Sequence, residues 1–165
     1  MNIFILDKDV KKCAEYHVDK HVVKMILETA QLLCGVHHMI PQVTPDVPYK
    51  LSHKNHPCAI WARKSLSNYL YLCELGLELC KEYTYRYDKI HKCERVGLVR
   101  TLLTLPKNIV RGPFQEPPPA MPDQYKIDRS VSDYTIKSYR AYYNGAKTNM
   151  FKWKNRPVPE WINTE

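Results

Sequence analysis

The chain has 165 residues, 44% of them hydrophobic and 25% charged, with 25 Lys and Arg against 17 Asp and Glu for a formal charge of +8. That length suits one compact domain, and the composition excludes a disordered or collagen-like chain. The positive balance favours phosphate-rich or anionic partners without naming one.

The opening MNIFILDKDV has a short apolar run and no basic leader, so it predicts neither a signal peptide nor an anchor, and nothing later reaches the roughly 18 apolar residues of a membrane span. From Val10 to about Gly35 the pattern is helical, with Asp9 as cap and Gly35 as stop. Within it His17, His21, Lys24, Glu28 and Gln31 follow spacings of 4, 3, 4 and 3, which puts them on one stripe. Val18, Val22, Val23, Met25, Ile26, Leu27, Leu32 and Leu33 fill nearly every other direction, so the stripe is expected to line a cleft, an ordinary solvated face being the alternative. Lys24 one turn from Glu28 suggests amine and carboxylate chemistry if the lysine is desolvated, and a plain helical ion pair if it is not. His17 with His21, or His53 with His56, has metal-ligand spacing, but HExxH is missing and no metal or other cofactor is expected.

Residues 37 to 56 carry three prolines and no period, and read as a loop. Pro57 then opens a helix capped by Asn55 or His56, with apolar positions recurring through Ile60, Trp61, Leu66, Tyr69, Leu70, Cys73, Leu77 and Cys80 to about Tyr87. Its YTYRY end, Tyr83 to Tyr87, leans toward packing, while Arg86 inside it is expected to contact substrate. A third helix covers about Ile90 to Leu105 and stops before Pro106.

Six of the twelve prolines fall between 106 and 123, so 106–128 is expected to be extended chain that wraps the domain; a linker is the rival reading, but the 40 or so residues after it are too few for a core of their own. Ser130 or Ser132 is placed to cap a last helix running to about Lys147, followed by an aromatic and basic tail, 148–165. In that region Tyr139, Arg140, Tyr142, Tyr143, Lys147 and Trp153 interleave rings that stack bases with cations that hold phosphates; packing of a core is the competing use. The fold expected is all-α, a compact single-domain bundle of crossing helices with a long proline-rich wrapping loop. The six cysteines form no CxxC pair and suit buried, reduced thiols, which places the chain in the cytoplasmic interior of a host cell.

Together these residues resemble the small all-helical pyrimidine-dimer DNA glycosylases with AP-lyase activity of phages and algal viruses. The resemblance rests on Asp19, His21 and Glu28, on Lys50, Leu51, Ser52 and His56, and on Tyr139, Arg140, Tyr142, Tyr143, Gly145 and Lys147. It implies that an amine attacks the sugar C1′ to form a Schiff base, that Glu28 manages sugar charge and proton transfer, that His21, Asn55 and His56 position sugar and phosphates, and that the tyrosines hold distorted DNA. Met1 or Lys24 would supply the amine. Two departures stand out: the large Asn2 follows Met1, whose α-amine lies farther in sequence from His21 than the family places it, and Leu27 and Gln31 stand where the family has arginines. Two functions are therefore carried forward, a DNA glycosylase or lyase and a protein that binds or cleaves a free nucleotide or nucleotide signal in anti-defence; a purely structural DNA-binding protein would leave the stripe without a purpose.

Overall fold

The computed structural model describes residues 1–40, 47–98 and 104–163, and among them every regular element is helical. α1 spans Val10–Tyr16, α2 Asp19–Met39, α3 Pro57–Lys64, α4 Leu66–Tyr87, α5 Lys92–Arg95 and α6 Tyr134–Ala146, with single 3-10 turns at Asp123–Tyr125 and Thr148–Met150. α2 and α4 are the long central pair; α1 crosses α4, and α3 fills the angle between α2 and α4. One continuous core takes side chains from Ile3 to Ile162. All six cysteines are free and buried in or beside it, each at a helical position. Among the described residues no helix is long and apolar enough to cross a membrane.

The chain starts in extended form. Ile3, Phe4, Ile5 and Leu6 are all buried, and Cys13 fixes the segment by accepting from the Leu6 N–H at 3.2 Å while its thiol donates to the Phe4 carbonyl at 3.3 Å. Asp9 caps α1 by accepting from the Lys12 N–H at 2.7 Å.

The single helix expected from Val10 to Gly35 is two helices, interrupted at His17 and Val18. In an unbroken helix the carbonyls of Glu15, Tyr16 and His17 would receive N–H groups four residues on. Here side chains take those carbonyls: Arg86 donates to Glu15 and His17, both at 2.8 Å, and Trp153 Nε1 to Tyr16 at 2.9 Å. The displaced Asp19 N–H turns to the Lys152 carbonyl at 2.8 Å. Gly35 does not end α2, which runs on to Met39; Leu51 covers the glycine, and Ile40, the residue before Pro41 in sequence, is the stop.

The expected helix from Pro57 to Tyr87 is likewise broken, at Ser65. His56 caps α3, its Nδ1 accepting from the Cys58 N–H at 3.1 Å, and Ser65 caps α4. The proline-rich loop is stitched into this corner. The Leu66 N–H donates to Val110 at 2.8 Å, Ser67 Oγ to the Gly112 carbonyl at 2.6 Å and Trp61 Nε1 to the Gln115 carbonyl at 2.8 Å, while Asn68 Oδ1 accepts from the Gln115 N–H at 3.0 Å. The loop therefore wraps rather than links.

The third expected helix is interrupted: α5 is one turn, Gly97 follows it at φ 91°, outside helical backbone, and Leu98 is helical again, while residues 99–103 of that expectation lie outside the described residues. α6 starts later than expected and is not capped by serine: Asp133 precedes it, its carboxylate held by Lys8 at 2.9 Å, and Ser130 bonds Asp128 instead. Gly145 on α6 is required by close approach, since a side chain there would overlap the Tyr125 ring.

Candidate functional site

A concavity of about 270 Å³ opens where the extended N-terminus passes the first half of α2. Met1, Asn2 and Phe4 form one side, Lys20, His21, Lys24, Met25 and Glu28 the α2 side, and Lys147 and Met150 the rim. Its size is near the lower end of small-molecule sites, ~300 Å³. Glu28 is its centre. One carboxylate oxygen lies 3.5 Å from the Met1 amine and the other 3.3 Å from Lys24 Nζ. A lone half-sheltered carboxylate thus faces several cations, whose surplus positive charge draws anionic groups to the same opening.

The two amines differ in setting. The Met1 side chain is 7% exposed against 67% for Lys24, so Lys24 forms a plain helical ion pair at the surface while the chain start lies against the protein. The separation of Met1 from His21 in sequence is no obstacle, because residues 2 to 6 run extended through the core and deliver the amine to Glu28.

His21 is buried beneath Phe4, with ring centroids 4.4 Å apart, and its Nδ1 shares a 2.7 Å hydrogen bond with the Tyr143 hydroxyl. Burial pushes its pKa down to about 3, and His17, Lys147 and Lys24 push the same way, so the ring is neutral at pH 7. His56 is half-buried at the start of α3; its pKa is lowered by burial first, then by the Met1 amine and His53, with Glu28 opposing. That places it in the electrostatic reach of both reactive groups, while its ring also lines a larger groove of about 590 Å³ formed with Pro118, Met121, Arg129 and Tyr134.

The stripe foreseen along α2 is therefore only partly a unit. His21, Lys24 and Glu28 converge. His17 does not: the helix break swings it into the core, where Nδ1 bonds the Cys13 carbonyl at 2.7 Å and burial lowers its pKa to about 4. Gln31 is half-buried farther along α2 and outside the lining of the concavity. Val23 and Leu27, expected to face protein, are 40% and 37% exposed. Asn55 is exposed near the start of α3.

Several expected substrate contacts have structural duties instead. Arg86 is buried, and four of its five N–H donors go to Asp19 at 2.9 Å, Glu82 at 2.7 Å and two carbonyls, so its guanidinium is held inside the fold. Trp153 and Tyr139 belong to the core, the latter tying Pro118 and Ala120 of the wrapping loop through its hydroxyl. Tyr142 stays half-buried, stacked 6.4 Å from Phe4 with Lys147 Nζ 4.7 Å above its ring. Sequence reasoning missed Asn2, Phe4, Lys20, Met25 and Met150 in the lining. The signals were there for two: an apolar FIL run too short for a helix, and Lys20 four residues before Lys24. Among the described residues no three His, Cys, Asp or Glu side chains are grouped to hold a metal.

A family model for pyrimidine dimer DNA glycosylases matches residues 1–95, more than half of the chain. The chain belongs to that family. No curated protein and no solved structure matches it. The pyrimidine dimer DNA glycosylase match takes in Met1, His21, Lys24, Glu28 and His56, so the centre of the concavity lies within it, whereas Lys147, Met150 and Tyr143 come from the part beyond. Family membership implies DNA as partner and a DNA-glycosylase-like function.

Proposed function

We propose that the protein is a DNA glycosylase with AP-lyase activity whose reaction runs at Glu28. The nucleophile is an amine beside that carboxylate, Met1 in the sheltered position or Lys24 in the exposed one. Glu28 takes the proton that frees the amine lone pair, and the amine attacks the sugar C1′ as the N-glycosidic bond breaks and its electron pair leaves with the base. Glu28 then hands that proton to the sugar O4′ as the ring opens, and the C1′–amine adduct becomes an iminium whose positive charge the restored carboxylate offsets. A C2′ proton passes to the same carboxylate, and departure of the 3′ phosphate cuts the strand by β-elimination. Lys20, Lys24 and Lys147 stand around the opening as phosphate-binding cations in place of the arginines replaced at Leu27 and Gln31. His21, His56 and the half-buried Tyr142 hold sugar, phosphate and displaced base.

The observation that carries this reading is the pairing of one carboxylate with two amines at 3.5 and 3.3 Å inside a cationic concavity. The test is borohydride trapping on abasic duplex DNA, followed by peptide mapping. A covalent adduct on the Met1 or Lys24 peptide is the expected result and identifies the amine. A clean gel at micromolar protein overturns the lyase step. Thermal stabilisation by free or cyclic nucleotides but not by ultraviolet-damaged or abasic duplex would instead favour the free-nucleotide reading.

A further inference from the structure

We propose that Tyr143 is a positioning residue that locks His21 in the tautomer bearing its proton on Nε2, so that His21 presents a neutral N–H donor to a nucleotide oxygen in the Glu28 concavity. This deepens the reading above and rests on it for the identity of the ligand. The lock itself stands on hydrogen-bond accounting. Tyr143 is fully buried, and its hydroxyl must place one hydrogen. Among the described residues the acceptor within its reach is His21 Nδ1, at 2.7 Å. The phenol therefore gives its hydrogen to Nδ1. The opposite arrangement, Nδ1–H donating to the phenol, would strand the hydroxyl hydrogen in the core at the cost of an unmade hydrogen bond.

With Nδ1 accepting, a neutral ring carries its hydrogen on Nε2. Burial beneath Phe4 keeps the ring neutral at pH 7, so it works as a fixed hydrogen-bond donor and not as a charged acid. The ring lines the concavity shared with Lys24 and Glu28. Its ligand is a neutral or anionic oxygen of a nucleotide, on phosphate or sugar, because an acceptor is what an N–H donor can use. His17 supplies a contrast at the break between α1 and α2: its Nε2 is buried and, among the described residues, has no hydrogen-bond partner.

The experiment is long-range proton–nitrogen correlation on the labelled full-length protein at neutral pH, first without DNA. The expected spectrum shows His21 protonated at Nε2 and bare at Nδ1; a ring protonated at Nδ1 overturns the lock. Tyr143→Phe is expected to mix or invert the tautomers and to lower kcat roughly tenfold, the worth of one hydrogen bond, with KM little changed. An unchanged ring and kcat in that variant would remove Tyr143 from the role. Should Tyr143→Phe fail to fold, His21→Gln, which keeps a donor at the ε position, is expected to retain more kcat than His21→Asn, and the reverse order overturns the proposal. Adding duplex with a reduced abasic site is expected to shift the Nε2 proton, and no shift overturns the donor role. Because the tautomer is read without substrate, a failed borohydride trap with an Nε2-protonated ring would sink the lyase reading and leave the lock standing.

Discussion

Two charge clusters flank the start of α2, and they solve opposite problems. Around Arg86, two carboxylates and a second arginine are closed on one another: Asp19 and Glu82 bind Arg86, and Arg156 adds to Glu82 at 2.9 Å. Hydrogen bonds from both arginines hold the Glu82 carboxyl below its ordinary pKa although burial opposes them. Around Glu28 a single carboxylate faces an α-amine and lysines across an open concavity. A buried cluster is stable only when every lone pair and proton is matched, whereas a site needs unmatched charge with access to solvent. The first cluster is a strut between α1, α2, α4 and the tail; the second has the surplus of cations and the opening that a phosphate-bearing ligand requires.

Breaking one partner of each cluster should separate them. Arg86→Leu would leave Asp19 and Glu82 in the interior without their guanidinium, and a loss of about 3–5 kcal/mol is expected in urea unfolding. A change under about 1 kcal/mol would show that the strut is dispensable. Glu28→Gln should do the reverse. Turnover on damaged or abasic DNA is expected to fall by roughly 10²–10⁴, the usual worth of a positioned acid or base, with binding retained and unfolding energy altered by less than about 1 kcal/mol. Turnover equal to wild type would remove Glu28 from the chemistry.

Acid sharpens the comparison further. His17 and His21 stay neutral in the folded chain down to about 4 and about 3, while the unfolded chain takes up their protons near 6.5. The unfolded state then binds more protons, so the stability these rings contribute is whole above pH 6.5 and is lost as pH falls below it. Burial lowers His37, His56 and His91 as well, in the same direction. Urea midpoints should drop between pH 7 and 5, above the range where Glu82 is protonated, with the unfolding free energy falling by about 1.4 kcal/mol per pH unit below 6.5 for each fully buried histidine. A midpoint flat over that interval would mean that these rings are charged in the fold. The smallest effect belongs to Lys24→Met: its exposed helical pair with Glu28 contributes about 0.3–0.5 kcal/mol. If borohydride adducts persist on the Met1 peptide in that variant, the α-amine is the nucleophile.

The all-helical fold and the wrapping loop were legible because periodicity and proline content are local signals. The breaks were not. Nothing near His17 marks an interruption, since the groups that replace its backbone partners, Arg86 and Trp153, arrive from elsewhere in the chain. For the same reason a regular 4-3-4-3 stripe overstated the site: His17 keeps its place in the sequence pattern but loses its place on the helix face. Arg86 and Tyr139 misled in a related way, because composition cannot tell a cation or ring that meets a ligand from one that closes the core. Glu28 with an amine beside it was legible, since Lys24 sits one helical turn away, but the approach of Met1 depends on a long-range path that only the packed N-terminal segment defines.

The carbonyl of Lys152 and the indole of Trp153 hold the α1–α2 junction, Lys147 and Met150 complete the hollow beside it, and Tyr143 holds His21 from behind. A ribosome making this chain therefore releases the residues around Glu28 long before the pieces that set their geometry. An emerging fragment holding only the first helices would carry Glu28 and its neighbouring amines without the hollow around them, which would arrive late, as a property of the closed chain.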